Sequence, residues 1–251
     1  GLPVLRRVAE DKLGGLYWLG QKDILNLRLE KGDACHVFLA VQIKDRTMHI
    51  SEGVLSAPVL VTGAALTVAG VAVGLKKMDY EKIPQVAVLT SAFFVASLIR
   101  VPVGPSAVHL VLNGLLGLIL GWAAFPAILV GVALQGLLFQ FGGLTTLGVN
   151  TFIMAMPATL CYYLFGRGIG HKHSGVAMAL AFACGFFAIL LSSLLLALCL
   201  IFTGESFLQA AKVLVLAHLP VMVLEGVVVA FCLAFLMKVK PELLGATHAA
   251  G

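Results

Sequence analysis

The sequence predicts an all-α integral membrane protein, a bundle of about seven transmembrane helices, and three observations carry that prediction. Of its 251 residues, 60% are hydrophobic and 12% charged, and the mean hydropathy is +1.03; a soluble domain carries roughly 25% charged residues. The charges crowd toward one end: residues 1–47 hold 8 Lys/Arg and 6 Asp/Glu, and the remaining 204 hold 9 and 6. Beyond residue 47 the chain divides into apolar runs near the ~20 residues that a helix needs to cross a bilayer. The net charge of +5 splits into +2 (8 − 6) and +3 (9 − 6), too little in either part to suggest a nucleic-acid partner. The lipid bilayer is the partner that composition does imply.

Residues 1–47 form a polar prefix. "HVFLAVQIKDRT" is too short and too charged for the apolar core of a signal peptide, and 47 residues are few for an independent core. The sequence opens on Gly1 and changes composition abruptly before Met48. The prefix therefore reads as upstream sequence absent from a mature protein that starts at Met48, or as a small extracytoplasmic extension. Residues 48–251 are the membrane domain.

Seven apolar segments follow in order, at about 54–75, 83–100, 107–124, 125–141, 147–165, 175–203 and 208–237. The last two exceed a bilayer's needs and can tilt or extend beyond it. Breaks fall at "KKMDYEK", "RVPVGP", around Pro126, at "GGLTT", "GRGIGHKHS" and "TGES". Short cytoplasmic loops are rich in Lys and Arg. "KKMDYEK", "GRGIGHKHS" and the tail "KVKPE" share one side if the C-terminus is cytoplasmic, with Arg100 the exception. An odd number of spans then leaves Met48 and "HISEG" on the extracytoplasmic side, where a solute would be captured. Cys161, Cys184, Cys199 and Cys232 lie in apolar runs without CxxC spacing. They read as small buried residues, and with Cys35 they suggest neither a disulfide framework nor a zinc site.

A mature N-terminus at Met48 would put unusual chemistry at the border between prefix and membrane domain. Its free amine, the backbone nitrogen of His49 and the His49 imidazole Nδ1 can close fused five- and six-membered chelate rings around one metal ion. A second imidazole could complete a square of nitrogens, a geometry that suits Cu(II) or Ni(II), with Co(II) a near neighbour. A start codon followed by an incidental histidine would look the same. The outstanding fourth ligand is His109 in "RVPVGPSAVHLVLNG", at the outer start of the third segment. An ionisable residue inside a span is a functional candidate by default, although a lone histidine can also serve a neighbouring helix as a hydrogen-bond partner. Pro102, Gly104 and Pro105 free backbone just before it, which membrane depth tolerates only when buried or lining a cavity.

Other polar residues within the segments are Asn113, Gln135, Gln140, Asn150, Thr151, His218 and Glu225. Asn113 lies four residues after His109, a spacing that on a helix would let it fix the imidazole in one tautomer. His218 and Glu225 are seven apart and so share a helix face. They could hold ligands in orientation, form a proton pathway or anchor one helix to another. His171 and His173 read as solvated loop residues, and His36 and His248 carry no pattern.

Together, "MHISEG", "VPVGPSAVHLVLNG", "LQGLLFQFGGLTTLGVNTFIMAMPA" and "HLPVMVLEG" resemble the CbiM/NikM family over about 48–237. These are the substrate-capture (S) components of energy-coupling factor (ECF) transporters for cobalt and nickel in prokaryotic cell membranes. The resemblance implies a seven-helix bundle whose extracytoplasmic N-terminus tucks inward to bind the metal. It implies ligands at Met48, through amine, and at His49 and His109, with Co(II) or Ni(II) as transported substrate and no cofactor. It also implies separate partners: a transmembrane coupling subunit, two ATPase subunits and, in some systems, a small accessory membrane subunit. The departure is the 47 residues ahead of Met48, since the family's chemistry requires that amine to be free. Either those residues leave the mature protein, or this copy is impaired.

Three functional classes compete. A metal-capture subunit would rely on partner ATPases, consistent with a chain that carries no GxxxxGK[ST] phosphate loop. A self-sufficient proton-coupled carrier would use His218, Glu225 and Glu52 as a relay. A membrane enzyme finds no HExxH and no nucleophile–base set in this sequence.

Overall fold

Helix α1 (Ala57–Lys77) begins with the first long apolar run, with a proline in its first turn, where the missing N–H has no helical partner to lose. It ends on Lys76 and Lys77, whose charges suit the negative end of the helix dipole. The computed structural model describes residues 50, 53–103, 106–139, 142–169, 174–204 and 208–240. Among these, a 3-10 turn (Tyr80–Lys82) leads into α2 (Ile83–Ala96), followed by an antiparallel hairpin of β1 (Arg100–Val103) and β2 (Ser106–His109). Then come α3 (Asn113–Leu120), a 3-10 turn (Gly121–Ala123), α4 (Ala124–Phe139), α5 (Leu147–Ile169), α6 (Ser174–Thr203), α7 (Leu208–Ala217) and α8 (Leu219–Val239).

The protein is a helical, multi-pass membrane protein. Among the described residues, five stretches are long and apolar enough to cross a bilayer: Ala57–Lys77, Asn113–Phe139, Leu147–Gly166, Gly175–Thr203 and Leu214–Val239. Side chains such as Val61, Val68, Leu137, Leu164 and Phe231 are outward and exposed, as lipid contact requires. The structure departs from the expected segments in three places, one being 208–237, which divides at His218 into α7 and α8. The second segment forms a helix of 14 residues, about 21 Å at 1.5 Å per residue. The third, expected as one helix over 107–124, is instead a strand, a turn and the eight-residue α3. The physical reason lies in "VPVGP", whose prolines lack N–H groups and resist helix. Strand pairing of Arg100 with His109 and Val101 with Val108 accommodates the backbone on either side.

Close packing fixes how the helices align. Gly63, Thr67, Gly70 and Gly74 form a buried stripe on α1, the small-residue seam that lets helices approach in lipid. A Cβ at Gly63 would meet Val149 of α5, and one at Gly70 would strike the Phe125 ring of α4. Thr67 Oγ1 donates to Gly148 O at 2.6 Å. At one end of the bundle, Lys77 Nζ lies 5.4 Å over the Trp122 ring, and Trp122 Nε1 donates to Tyr163 Oη at 2.7 Å. At the other end, Ser56 N–H donates to Thr203 Oγ1, and Ile50 meets Asn150. Helices α1 and α5 therefore run in the same sense, from the Ile50 end to the Trp122 end.

α3 is buried along nearly its whole length and lies tightly against α5, where a Cβ at Gly117 would stand 2.0 Å from Ala158 O. Gly117→Ala should force these backbones apart and cost about 1–3 kcal/mol or more, read as a lowered unfolding temperature in detergent. Gly175→Ala, in the first turn of α6 with open space around it, should be neutral or slightly stabilising. Equal melting of the two variants would contradict this packing.

Candidate functional site

The site is built around the turn that follows His109. His109 is buried at the end of β2, and three residues later Leu112 adopts φ 54°, ψ 18°. A leucine in this left-handed region is strained by on the order of 1–2 kcal/mol, so something must hold it there. Glu225 of α8 does so. Its carboxylate accepts the N–H of Val111 at 3.2 Å and the N–H of Leu112, and its side chain is completely buried (0% exposed). Leu112 O then accepts the N–H of Leu116 to start α3. A buried carboxylate at a helix N-terminus satisfies donors that the helix itself cannot pair.

Asn113, the first residue of α3, is fully buried. Its Nδ2 donates to Met154 O of α5 at 3.2 Å and to Ser192 Oγ of α6 at 3.1 Å; its Oδ1 has no partner among the described residues. The expected i, i+4 relation between His109 and Asn113 lapses, because His109 ends a strand and Asn113 begins a helix. Asn113 ties α3 to two other helices, and the structure shows no bond from it to the imidazole.

Beside these residues lies a cavity of about 10 Å³, room for roughly one water. Val111, Ile153, Met154, Ser192, Leu196 and His218 contribute to its wall. His218 precedes α8, and its Nδ1 lies 2.7 Å from Leu214 O. A carbonyl oxygen can only accept, so Nδ1 carries the hydrogen. The sequence placed His218 and Glu225 on one helix face. In the structure His218 faces this cavity, whereas both Glu225 oxygens are taken by backbone N–H groups.

The third component approaches from the N-terminal side. Ile50 is buried in a hydrophobic cluster with Leu55, Val149, Ile153, Leu196 and Leu200. Its N–H donates to Asn150 Oδ1 at 3.0 Å, and Asn150 Nδ2 returns a bond to Ile50 O at 3.2 Å. Ile153 and Leu196 belong both to the Ile50 pocket and to the cavity wall, and Val111 closes the cavity two residues beyond His109. The turn after His109, through Val111, and the cluster that holds Ile50, through Ile153 and Leu196, thus border one small cavity. Met48, His49 and Glu52 lie outside the described residues. Among the described residues no three His, Cys, Asp or Glu side chains converge as a metal site. Asn150 is the residue whose role the sequence did not reveal. It stood out only as a polar residue in an apolar run, and its partner is a peptide group, which leaves no side-chain pattern to read. Cys161 and Cys184 are buried, with Cys184 Sγ 3.4 Å from Gly114 O, in keeping with their expected packing role.

Comparison with known proteins shows which family the chain resembles. The family model described as "Cobalt uptake substrate-specific transmembrane region" matches residues 49–243. A Haemophilus influenzae protein named for metal transport is 41% identical, over 80% of this chain and 98% of that protein. A fused nickel transport protein, NikMN, of Rhodobacter capsulatus is 30% identical, over 80% of this chain and 65% of the longer fusion. A crystal structure described as a transition metal transporter superposes with a TM-score of 0.63 at 26% identity, covering 80% of this chain and 98% of that one.

Glu225 offers a direct check of the local geometry. Glu225→Ala leaves two buried N–H groups unpaired and opens a hole, and should cost about 2–5 kcal/mol. Glu225→Gln keeps one carbonyl acceptor and should lose about half as much. Unfolding in detergent measures both, and wild-type stability in the alanine variant would contradict the role assigned to this carboxylate.

Proposed function

The chain belongs to the CbiM family of cobalt uptake substrate-specific transmembrane proteins, and we propose that it captures Co(II) or Ni(II) for import across a prokaryotic cell membrane. The metal is cargo, not a resident cofactor. The ligands in this reading are the amine of Met48, the backbone nitrogen and imidazole Nδ1 of His49, and the imidazole of His109. The observation that supports it is that one cavity is bordered both by Val111, in the turn after His109, and by Ile153 and Leu196, which share a buried cluster with Ile50. Met48 precedes Ile50 by two residues, a span of at most about 7 Å. Four nitrogens in a plane suit Ni(II), and Co(II) is the neighbouring choice.

Each surrounding residue has a task in this proposal. Glu225 fixes the turn that carries His109, Asn113 ties that turn to α5 and α6, and His218 lines the cavity next to it. The Ile50 end of the bundle faces outward. The opposite end, with Lys76 and Lys77 of α1 and Lys238 of α8 in their helices' last turns, faces the cytoplasm, in line with the positive-inside tendency. Seven crossings satisfy this orientation if α2 and the buried α3 each traverse part of the thickness. Release is driven by separate subunits: an ECF transmembrane coupling protein, two ATPases and, in some systems, a small accessory membrane subunit. The fused relative, longer than this chain, supports association with a further polypeptide. The proton-coupled carrier has less support, because among the described residues Glu225 bonds to the Val111 and Leu112 N–H groups and His218 to Leu214 O, with no bond linking the two.

Calorimetric titration of the purified mature protein with Ni(II) and Co(II) tests the ligand set. His49→Ala should weaken binding by about 100-fold or more, beyond the 10–100-fold typical of residues that only support a ligand, and His109→Ala should weaken it substantially. Unchanged affinity in either variant would sink the ligand assignment. Intact mass should show Met48 as the first residue; a mature protein that keeps the prefix excludes the amine ligand.

Acidification has a defined sign. The chain-end amine, with an ordinary pKa near 7.7–8.0, must lose its proton to bind metal. Apparent affinity should therefore fall as pH drops from about 8 to 5. A flat titration over that interval would contradict nitrogen ligation.

A further inference from the structure

We propose that Asn150 is the positioning residue for the N-terminal segment: its carboxamide grips the Ile50 peptide backbone and so sets where Met48 and His49 reach the metal. This deepens the chain-end metal site proposed above and rests on it.

An asparagine carboxamide carries one carbonyl acceptor and one NH2 donor, the same complement as a backbone peptide. Asn150 uses both on a single residue, accepting from Ile50 N–H at 3.0 Å and donating to Ile50 O at 3.2 Å. The orientation of the carboxamide is fixed by a third bond, from Nδ2 to Thr146 Oγ1 at 3.2 Å. That hydroxyl in turn bonds to Gly143 O, and the Asn150 N–H bonds to Thr146 O at 2.9 Å. Thr146 thereby locks the grip into the start of α5. Asn150 and Ile50 are 3% and 4% exposed, so bulk water has little access to replace these bonds.

Recognition through the backbone suits the task. A segment held through its backbone N–H and C=O is anchored at that residue whatever side chain it carries. With Ile50 fixed, only one peptide unit separates the grip from His49 and two separate it from Met48. The amine and the His49 nitrogens then search a small volume, and this high effective concentration favours chelation. Releasing the grip leaves the ligands unchanged but enlarges the volume they search.

Hydrogen exchange and Ni(II) calorimetry on the purified mature protein, as wild type, Asn150→Ala and Asn150→Asp, separate a positioning role from general stability. Asn150→Ala should speed exchange at the Ile50 amide while amides along the rest of α5 keep their protection. It should weaken Ni(II) by about tenfold, the effect of losing a buried hydrogen-bonded pair. The absorption spectrum at saturation should stay that of wild type, because the same nitrogens bind. Asn150→Asp keeps the acceptor but turns an oxygen toward Ile50 O, and should fall on the same side of wild type. In a His49→Ala background, which has lost the chelate, Asn150→Ala should add nothing.

Loss of protection along all of α5, or the same weakening in the His49→Ala background, would make Asn150 a general stability residue and overturn the proposal. So would wild-type affinity in Asn150→Ala when His49→Ala destroys binding. Wild-type affinity in His49→Ala alone would instead fail the chain-end metal site, and the positioning role with it.

Discussion

Within a bilayer every backbone N–H and C=O must find its partner inside the protein, because lipid offers none. Helices meet this requirement automatically. The places where this chain departs from helix are therefore the places where side chains must supply the missing partners, and two of them lie around one cavity. Glu225 pairs the N–H groups of Val111 and Leu112 after the hairpin, and Asn150 pairs both polar groups of Ile50. Without these two residues the irregular segments would carry unpaired polar groups at a cost of several kcal/mol. Two of the protein's buried polar side chains thus serve backbone that is not helical.

Packing determines where these segments end up. The glycine stripe of α1 brings it close to α5 and α4, and Gly117 brings α3 close to α5. These contacts set the relative heights of the helices, so that the start of α5, the start of α3 and the first turns of α8 meet in one region. Asn113 then joins three helices through Met154 O and Ser192 Oγ. A site assembled from helix starts gains from their positive dipole ends, which favour a carboxylate such as that of Glu225. Displacing α3 by a Cβ at Gly117 would shift the helix that Asn113 starts, and with it the turn after His109, which is how packing and cargo capture are linked.

Much of this was legible in the sequence, and what was not has a common cause. Apolar run length identified the membrane class and placed α1, α5 and α6 within a few residues, because those helices obey a local rule. The polar residues His109, Asn113, His218 and Glu225 drew notice as charges or amides in an apolar setting. Their relations were less accessible. The spacing of His109 and Asn113 implied a helix that the VPVGP segment prevents, and the left-handed Leu112 is stabilised by a residue more than a hundred positions away. Asn150 was invisible as a site residue because it recognises a peptide group, and any residue could have supplied that. Local periodicity reports elements; pairing between distant backbone and side chain does not appear in it.

The central claim is that the chain end itself is a metal ligand, held in place together with the turn after His109. X-ray absorption at the nickel edge, on the purified mature protein loaded with one equivalent of Ni(II), tests this most directly. The expected result is a four-coordinate shell of nitrogen only, with the multiple-scattering signature of two imidazoles. A six-coordinate shell rich in oxygen, a sulfur ligand, or a single imidazole would contradict it.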